Sequence, residues 1–245
     1  MGDGSPGFRI AFIAVVAIVA AAIAGAAALA TKDRGVTASR RSFIVTVLAL
    51  AGWLFFSGRL AASGFLAFEP RPTLLPLLAI GVVGAFGVAF SRSGRLLAAN
   101  LPLAVLVGYQ AFRIPVEILL HRGHVEGLVP LRMTYLGANL DVLTGVTALL
   151  LAALSRLGPV PAWLLFAWNL VGFGLLVNAV TLALLSSPLP FRVFFEEPSN
   201  VWVTRFPWVW LPAFLVPAAV LGHLLVWRRL LAQRGGAETA EERGA

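Results

Sequence analysis

Cysteine is absent from the 245 residues, lysine occurs once (Lys32), and only 12% of the chain is charged. Without a thiol there is no disulfide, no thiolate zinc site, no haem thioether and no cysteine nucleophile. The scarcity of charge excludes an ordinary soluble domain, which carries about twice that fraction. Also missing are a G-x-S-x-G elbow, a Walker loop and a dinucleotide fingerprint placed where they could work. The start, MGDGSP, departs from the myristoylation pattern because position 6 is Pro6. No repeat of fixed period and no inverted pair of broken helices is visible.

What is there is largely apolar. Hydrophobic residues make up 59% of the chain and the mean hydropathy is +0.89, values that belong to integral membrane proteins. The formal charge of +8 could suggest nucleic acid. However, no basic cluster alternates with aromatics on a polar face, and most arginines stand in short connectors between apolar runs. The positive-inside bias accounts for them, and a nucleic-acid partner is excluded. The 19 basic residues are eighteen arginines and one lysine, which with the abundant alanine points to a GC-rich bacterial genome and an inner-membrane location.

Seven runs approach the roughly 20 apolar residues a transmembrane helix needs: residues 10–30, 43–65, 73–91, 96–121, 141–156, 161–186 and 207–231. The predicted fold is therefore all-α, a polytopic bundle of about seven transmembrane helices in one domain over residues 1–231. The polar, Gly-containing tail, 232–245, reads as disordered and cytoplasmic. With the N-terminus outside and the C-terminus cytoplasmic, eleven Arg and Lys fall on the cytoplasmic side and six on the outer side, the expected asymmetry. The first run ends in Ala28-Leu29-Ala30, which resembles a signal-peptidase site. Cleavage there would export TKDRGVTASRR, four basic residues directly before the next span. An uncleaved first span is the expectation.

One stretch breaks the apolar pattern. In GYQAFRIPVEILLHRGH, Gln110, Arg113, Glu117, His121 and His124 are spaced by 3, 4, 4 and 3 positions, so on an α-helix they form a single polar stripe. Measured from Leu96, beside the basic pair Arg92 and Arg95, Arg113 would lie about 26 Å along the helix, near the outer boundary. Two readings follow. Arg113 and Glu117 are a surface i, i+4 pair with the arginine snorkelling outward, or they are a buried pair under the next connector. The collinear His121 favours the second. Pro115 inside the stripe removes one backbone hydrogen bond and frees the carbonyl of Ala111.

That connector, HRGHVEGLVPLRMTYLGANLD, mixes Arg132, Asn139 and Asp141 with Leu, Val, Met and Tyr. It reads as a segment folded back over the bundle mouth. Trp202, Trp208 and Trp210 would anchor at the headgroup level, and Asn100, Asn169, Asn178 and His223 would hydrogen-bond helix to helix. The candidate ligand-binding set is Gln110, Arg113, Glu117, His121, Arg132, Asn139 and Asp141.

Arg113 and Arg132 could clamp a lipid headgroup or an organic anion. Glu117, His121 and His124 could hold a divalent metal such as zinc, with Asp141 or Glu126 completing the site, although Arg113 and Arg122 oppose a cation. No cofactor is otherwise expected. Proton transfer through Glu117 and His121 is a further option.

The segments FRIPVE and HVEGLVPLRMTYLGANLDVLTG, within residues 112–145, resemble a stretch of uncharacterised families of multi-pass bacterial inner-membrane proteins. The resemblance implies a membrane fold and no activity. The functional expectation is a polar pocket at the outer mouth that binds or transports a small molecule or lipid headgroup. The alternatives are a membrane-embedded metal-dependent enzyme and a structural subunit packed against a membrane-protein partner.

Overall fold

The computed structural model describes residues 4–242, and among these residues the structure is helices and connectors with no strand. In chain order the α-helices are α1 (Pro6–Ala30), α2 (Val36–Ala62), α3 (Leu74–Phe90), α4 (Arg92–Asn100), α5 (Leu103–Gly108), α6 (Arg113–Val125), α7 (Val142–Leu157), α8 (Ala162–Leu185) and α9 (Val216–Glu242). A 3-10 segment, Tyr109–Phe112, joins α5 to α6, and a π-helical turn, Leu211–Leu215, leads into α9. The backbone of α9 continues into the polar tail as far as Glu242. Residues 243–245 lie outside the described residues.

Local chemistry sets the boundaries. Ser5 caps α1 by accepting from the Phe8 amide at 3.3 Å, and Pro6 occupies the first turn, where no amide is needed. Ser91 caps α4 through the Gly94 amide. Pro102 separates α4 from α5, and Leu101 before it is extended with ψ 140°, as a residue preceding proline prefers.

Among the described residues, five helices are long and apolar enough to cross a membrane: α1, α2, the continuous Leu103–Val125 segment, α8 and Leu211–Gln233. A sixth exists if α3 and α4, bent by 66° at Ser91, count as one broken span. All seven apolar runs are helical, but two fall short alone. The third is 17 residues long before its bend. The fifth is 16 residues, about 24 Å, because the chain up to Asp141 is drawn into the interior.

The fourth run also differs from expectation. It starts at Leu103, after the Pro102 break, and not at Leu96. Pro115 sits in the first turn of α6, where a missing amide costs little.

The interior sets a few polar groups within an apolar core, and the exterior is apolar as well. Gln110, Arg113, Glu117, Asn139, Asn169 and His223 are buried, while Ile10, Leu48, Phe55, Val83 and Leu170 are exposed. Such an exterior suits a hydrocarbon solvent. At one end, Phe8 stacks on Trp208 with centroids 4.3 Å apart and Phe12 meets the same indole edge-on at 5.1 Å. Trp202 and Trp208 are core residues, a correction to their expected headgroup role, and Trp210 donates its indole N–H to the Leu54 carbonyl at 2.9 Å. Three amides tie segments together, Asn100 and Asn169 helix to helix as the sequence suggests and Asn178 from helix to connector. Asn100 donates to Ala30 at 2.8 Å, Asn169 to the His223 carbonyl at 3.1 Å, and Asn178 to Ala138 at 3.0 Å.

Candidate functional site

The connector between α6 and α7 is folded into the bundle. Val129, Met133, Thr134 and Asn139 are all buried. Asn139 is its deepest polar contact. The Asn139 amide donates to Glu117 Oε1 at 2.8 Å, Glu117 Oε2 at 3.0 Å and the Met133 carbonyl at 3.1 Å. Its oxygen accepts from the Asp141 amide at 3.2 Å. Those partners fix which end of the side chain is nitrogen.

Arg113 lies directly below. Its Nη1 donates to Asp141 Oδ1 at 2.7 Å and to the Gly172 carbonyl at 3.2 Å, with the arginine 2% exposed. The partner of the buried arginine is therefore Asp141 from the far end of the connector, and Glu117 is bound by Asn139 instead. Close helix approach makes this arrangement possible. A Cβ on Gly145 would lie 2.8 Å from Ile114 Cγ1, and one on Gly172 would lie 2.8 Å from the Thr144 methyl. Any larger residue at either position would push α7 or α8 away from the arginine.

Depth must be measured again from the observed helix start. Ten residues separate Leu103 from Arg113, about 15 Å. In a 23-residue segment that is the middle by length, where counting from Leu96 puts it near the end. Glu117 is one turn further along.

These groups form the floor of a half-open cavity. It has about 100 Å³ of enclosed space within an empty volume of about 850 Å³ that includes its mouth. Leu74, Leu75 and Leu78 of α3 and Leu176, Val180 and Leu184 of α8 make the facing walls, and Leu211, Leu215 and Val216 the back. The π-helical turn thus lines the cavity. Its Ala213 carbonyl is taken up by the Trp53 indole N–H at 2.8 Å. Such turns are frequent at functional sites.

Two residues that line this space carry unsatisfied polar atoms. Arg113 Nε and Nη2 have no partner, nor does Asn200 Oδ1, although both residues are buried and line the cavity. The Asn200 amide nitrogen is used, donating to Ala183 at 3.0 Å and to Ser187 Oγ at 3.1 Å.

Of the seven sequence candidates, Arg113, Glu117, Asn139 and Asp141 meet at this floor. The other three do not line it. Gln110 donates to the Ala219 carbonyl of α9 at 3.0 Å. His121 lies against the Tyr135 ring at 4.9 Å. Arg132 pairs with Glu196 and covers the Phe194 ring at 4.3 Å from its centroid.

Arg113, Glu117, His121 and His124 share α6, Gln110 stands in the 3-10 segment before it, and each level meets a different neighbour. Asn200 and the Gly172 carbonyl belong to the site and were not among the candidates. The first is one of several polar residues in the connector before α9, with nothing in the sequence to single it out, and a backbone carbonyl leaves no mark in a sequence.

The proposed metal set is not assembled. Glu117 is held by Asn139, and His124 Nδ1 lies 3.0 Å from the Val129 carbonyl. Among the described residues no group of three or more His, Asp or Glu side chains could hold a metal ion.

A family profile described as "Domain of unknown function (DUF8737)" matches residues 70–231. The chain belongs to this family. No curated protein matches it, and no solved structure does. Every cavity-lining residue named above falls inside the matched segment.

Proposed function

We propose that this protein is a multi-pass membrane protein that binds, and in turn carries or presents, a lipid-like amphiphile in the slot between α3 and α8. The carrying observation is Arg113, which is 2% exposed, sits midway along a helix long enough to span a bilayer, and faces an apolar cavity with two of its nitrogens unpaired. A buried ionisable group at that depth is expensive and usually serves a ligand or ion. Apolar walls leading to a small polar floor are the general form of a lipid or small-molecule site.

The topology within this reading is seven membrane-embedded segments, with α3 and α7 as the short ones. The N-terminus lies outside, the C-terminus is cytoplasmic, and the host membrane is a bacterial inner membrane. The eleven-to-six distribution of basic residues supports that direction. A reporter fused after Ala245 should be active only in the cytoplasm, and one after Arg34 should agree. Periplasmic activity at Ala245 would reverse the direction.

The binding reading is tested by solvent extraction of detergent-purified protein, followed by mass spectrometry of the extract. A defined amphiphile should be enriched over bulk lipid in the native protein. It should be lost in Ala179→Trp, where an indole from the half-buried wall position fills the slot. Equal extracts from both proteins would remove the slot as a binding site.

A further inference from the structure

From the polar floor we infer that the amphiphile held in this slot has an uncharged head bearing both a hydrogen-bond acceptor and a donor, such as a carbonyl beside a hydroxyl. This rests on the binding reading above and adds the chemistry of the ligand's head.

The argument is by elimination among head charges. The floor already contains one guanidinium and two carboxyl groups, Arg113 against Glu117 and Asp141. Asp141 occupies one edge of that guanidinium at 2.7 Å. A phosphate or carboxylate head would bring a negative charge beside Asp141, in an environment where water cannot screen the repulsion.

A cationic head fails for a different reason. An ammonium group has donors only. It would place a second positive charge beside Arg113 while leaving Nε and Nη2 as unsatisfied as they are now. Buried donors without acceptors are costly, so the head must supply an acceptor.

The second unsatisfied group sets the other half of the pattern. Asn200 Oδ1 is an acceptor lining the same cavity, and its orientation is fixed because the nitrogen of that amide donates to Ala183 and Ser187. It requires an O–H or N–H from the ligand. One neutral head carrying a carbonyl and a hydroxyl offers both kinds of partner and adds no charge. The single apolar chain behind it would lie along Leu75, Leu78, Val180 and Leu184.

The test compares three probes with the same oleyl chain: monoolein, oleate and oleylamine. Full-length protein in a maltoside detergent is incubated with each, at a pH where oleate is ionised and oleylamine protonated. Retention is read by native mass spectrometry, with a thermal melt as the second measurement. Monoolein should be retained at least about tenfold more than either charged probe. It should raise the melting temperature of the native protein but not that of Ala179→Trp.

Oleate or oleylamine retained as well as monoolein would overturn the neutral head and leave the slot intact. If no probe exceeds its level on Ala179→Trp, the slot itself fails. The comparison of heads uses only native protein, so it does not depend on how the variant folds. Asn200→Leu adds a finer readout. It removes the acceptor and should cut monoolein retention several-fold without improving retention of oleate.

Discussion

Arg113 with Asp141 and Arg132 with Glu196 are the same chemical pair in opposite settings. The first is buried, with side chains 2% and 8% exposed; the second stands at the rim, with side chains 36% and 49% exposed. Both arginines have a second neighbour. Arg113 also donates to a helix carbonyl, at Gly172, whereas Arg132 lies over an aromatic ring, Phe194. The surroundings decide what each pair is worth. An exposed pair exchanges water contacts for nearly equal protein contacts. A buried pair must be kept whole, because removing one partner strands the other charge away from water.

Three measurements test that contrast, in order of expected effect. Arg113→Gln or Asp141→Asn should destabilise the protein by about 3–5 kcal/mol in reversible detergent unfolding. The double substitution should recover part of the loss, with a coupling above about 1 kcal/mol. A cycle of Arg113 with Glu117 should couple more weakly, since those two make no direct ion pair. Single costs as small as those at the rim would mean the buried pair is wet. At the rim, Arg132→Gln or Glu196→Gln should cost at most about 1 kcal/mol, and added salt should shrink even that.

The smallest effect is a pH dependence at Glu126. Its carboxylate accepts from the Ser5 amide and hydroxyl, both at 2.6 Å, and from Arg122 at 2.8 Å. Burial alone would raise its pKa, but the Ser5 hydroxyl, the Ser5 amide and Arg122 together hold it below the ordinary 4.5. A depressed carboxylate stabilises the fold above its ordinary value and loses that contribution as pH falls through the lower, folded-state value. The link between the start of α1 and the end of α6 should therefore loosen only in acid below about 4.5. Glu126→Gln should remove this acid sensitivity, as read by hydrogen exchange at Phe8 and Arg9. Unchanged exchange across that range would show that the link contributes nothing.

The contrast between the two pairs also explains what the sequence made legible. The apolar runs and the polar stripe follow from periodicity alone, and every run is helical. So does the inward fold of the α6–α7 connector, whose mixture of Leu, Val and Met with Asn139 and Asp141 does not suit an exposed loop. The partner of Arg113 was not legible. Along a helix Glu117 at i+4 is the obvious mate, whereas Asp141 is 28 positions away and reaches Arg113 only because Gly145 and Gly172 let the helices close.

Position along the fourth run differs for a simpler reason. The run was measured through Pro102, and moving its start to Leu103 turns a residue near its end into one at its middle. The tryptophans were misassigned because an indole suits both a headgroup belt and a core. Only the neighbours Phe8 and Phe12 choose between them.

In the proposed seven-segment topology, α7 has a mechanical consequence for the surrounding bilayer. Its 16 residues reach about 24 Å, against a hydrocarbon thickness of about 30 Å. Such hydrophobic mismatch is relieved by local thinning, at a modest cost for each ångström. The helix that is too short is also the one that begins beside Asp141, so in that topology headgroups and their water would dip inward on the flank nearest the buried arginine. The distance from Arg113 to water is then a property of protein and membrane together. Lipids with shorter chains, which need less bending to meet α7, will favour the folded protein over those with longer ones.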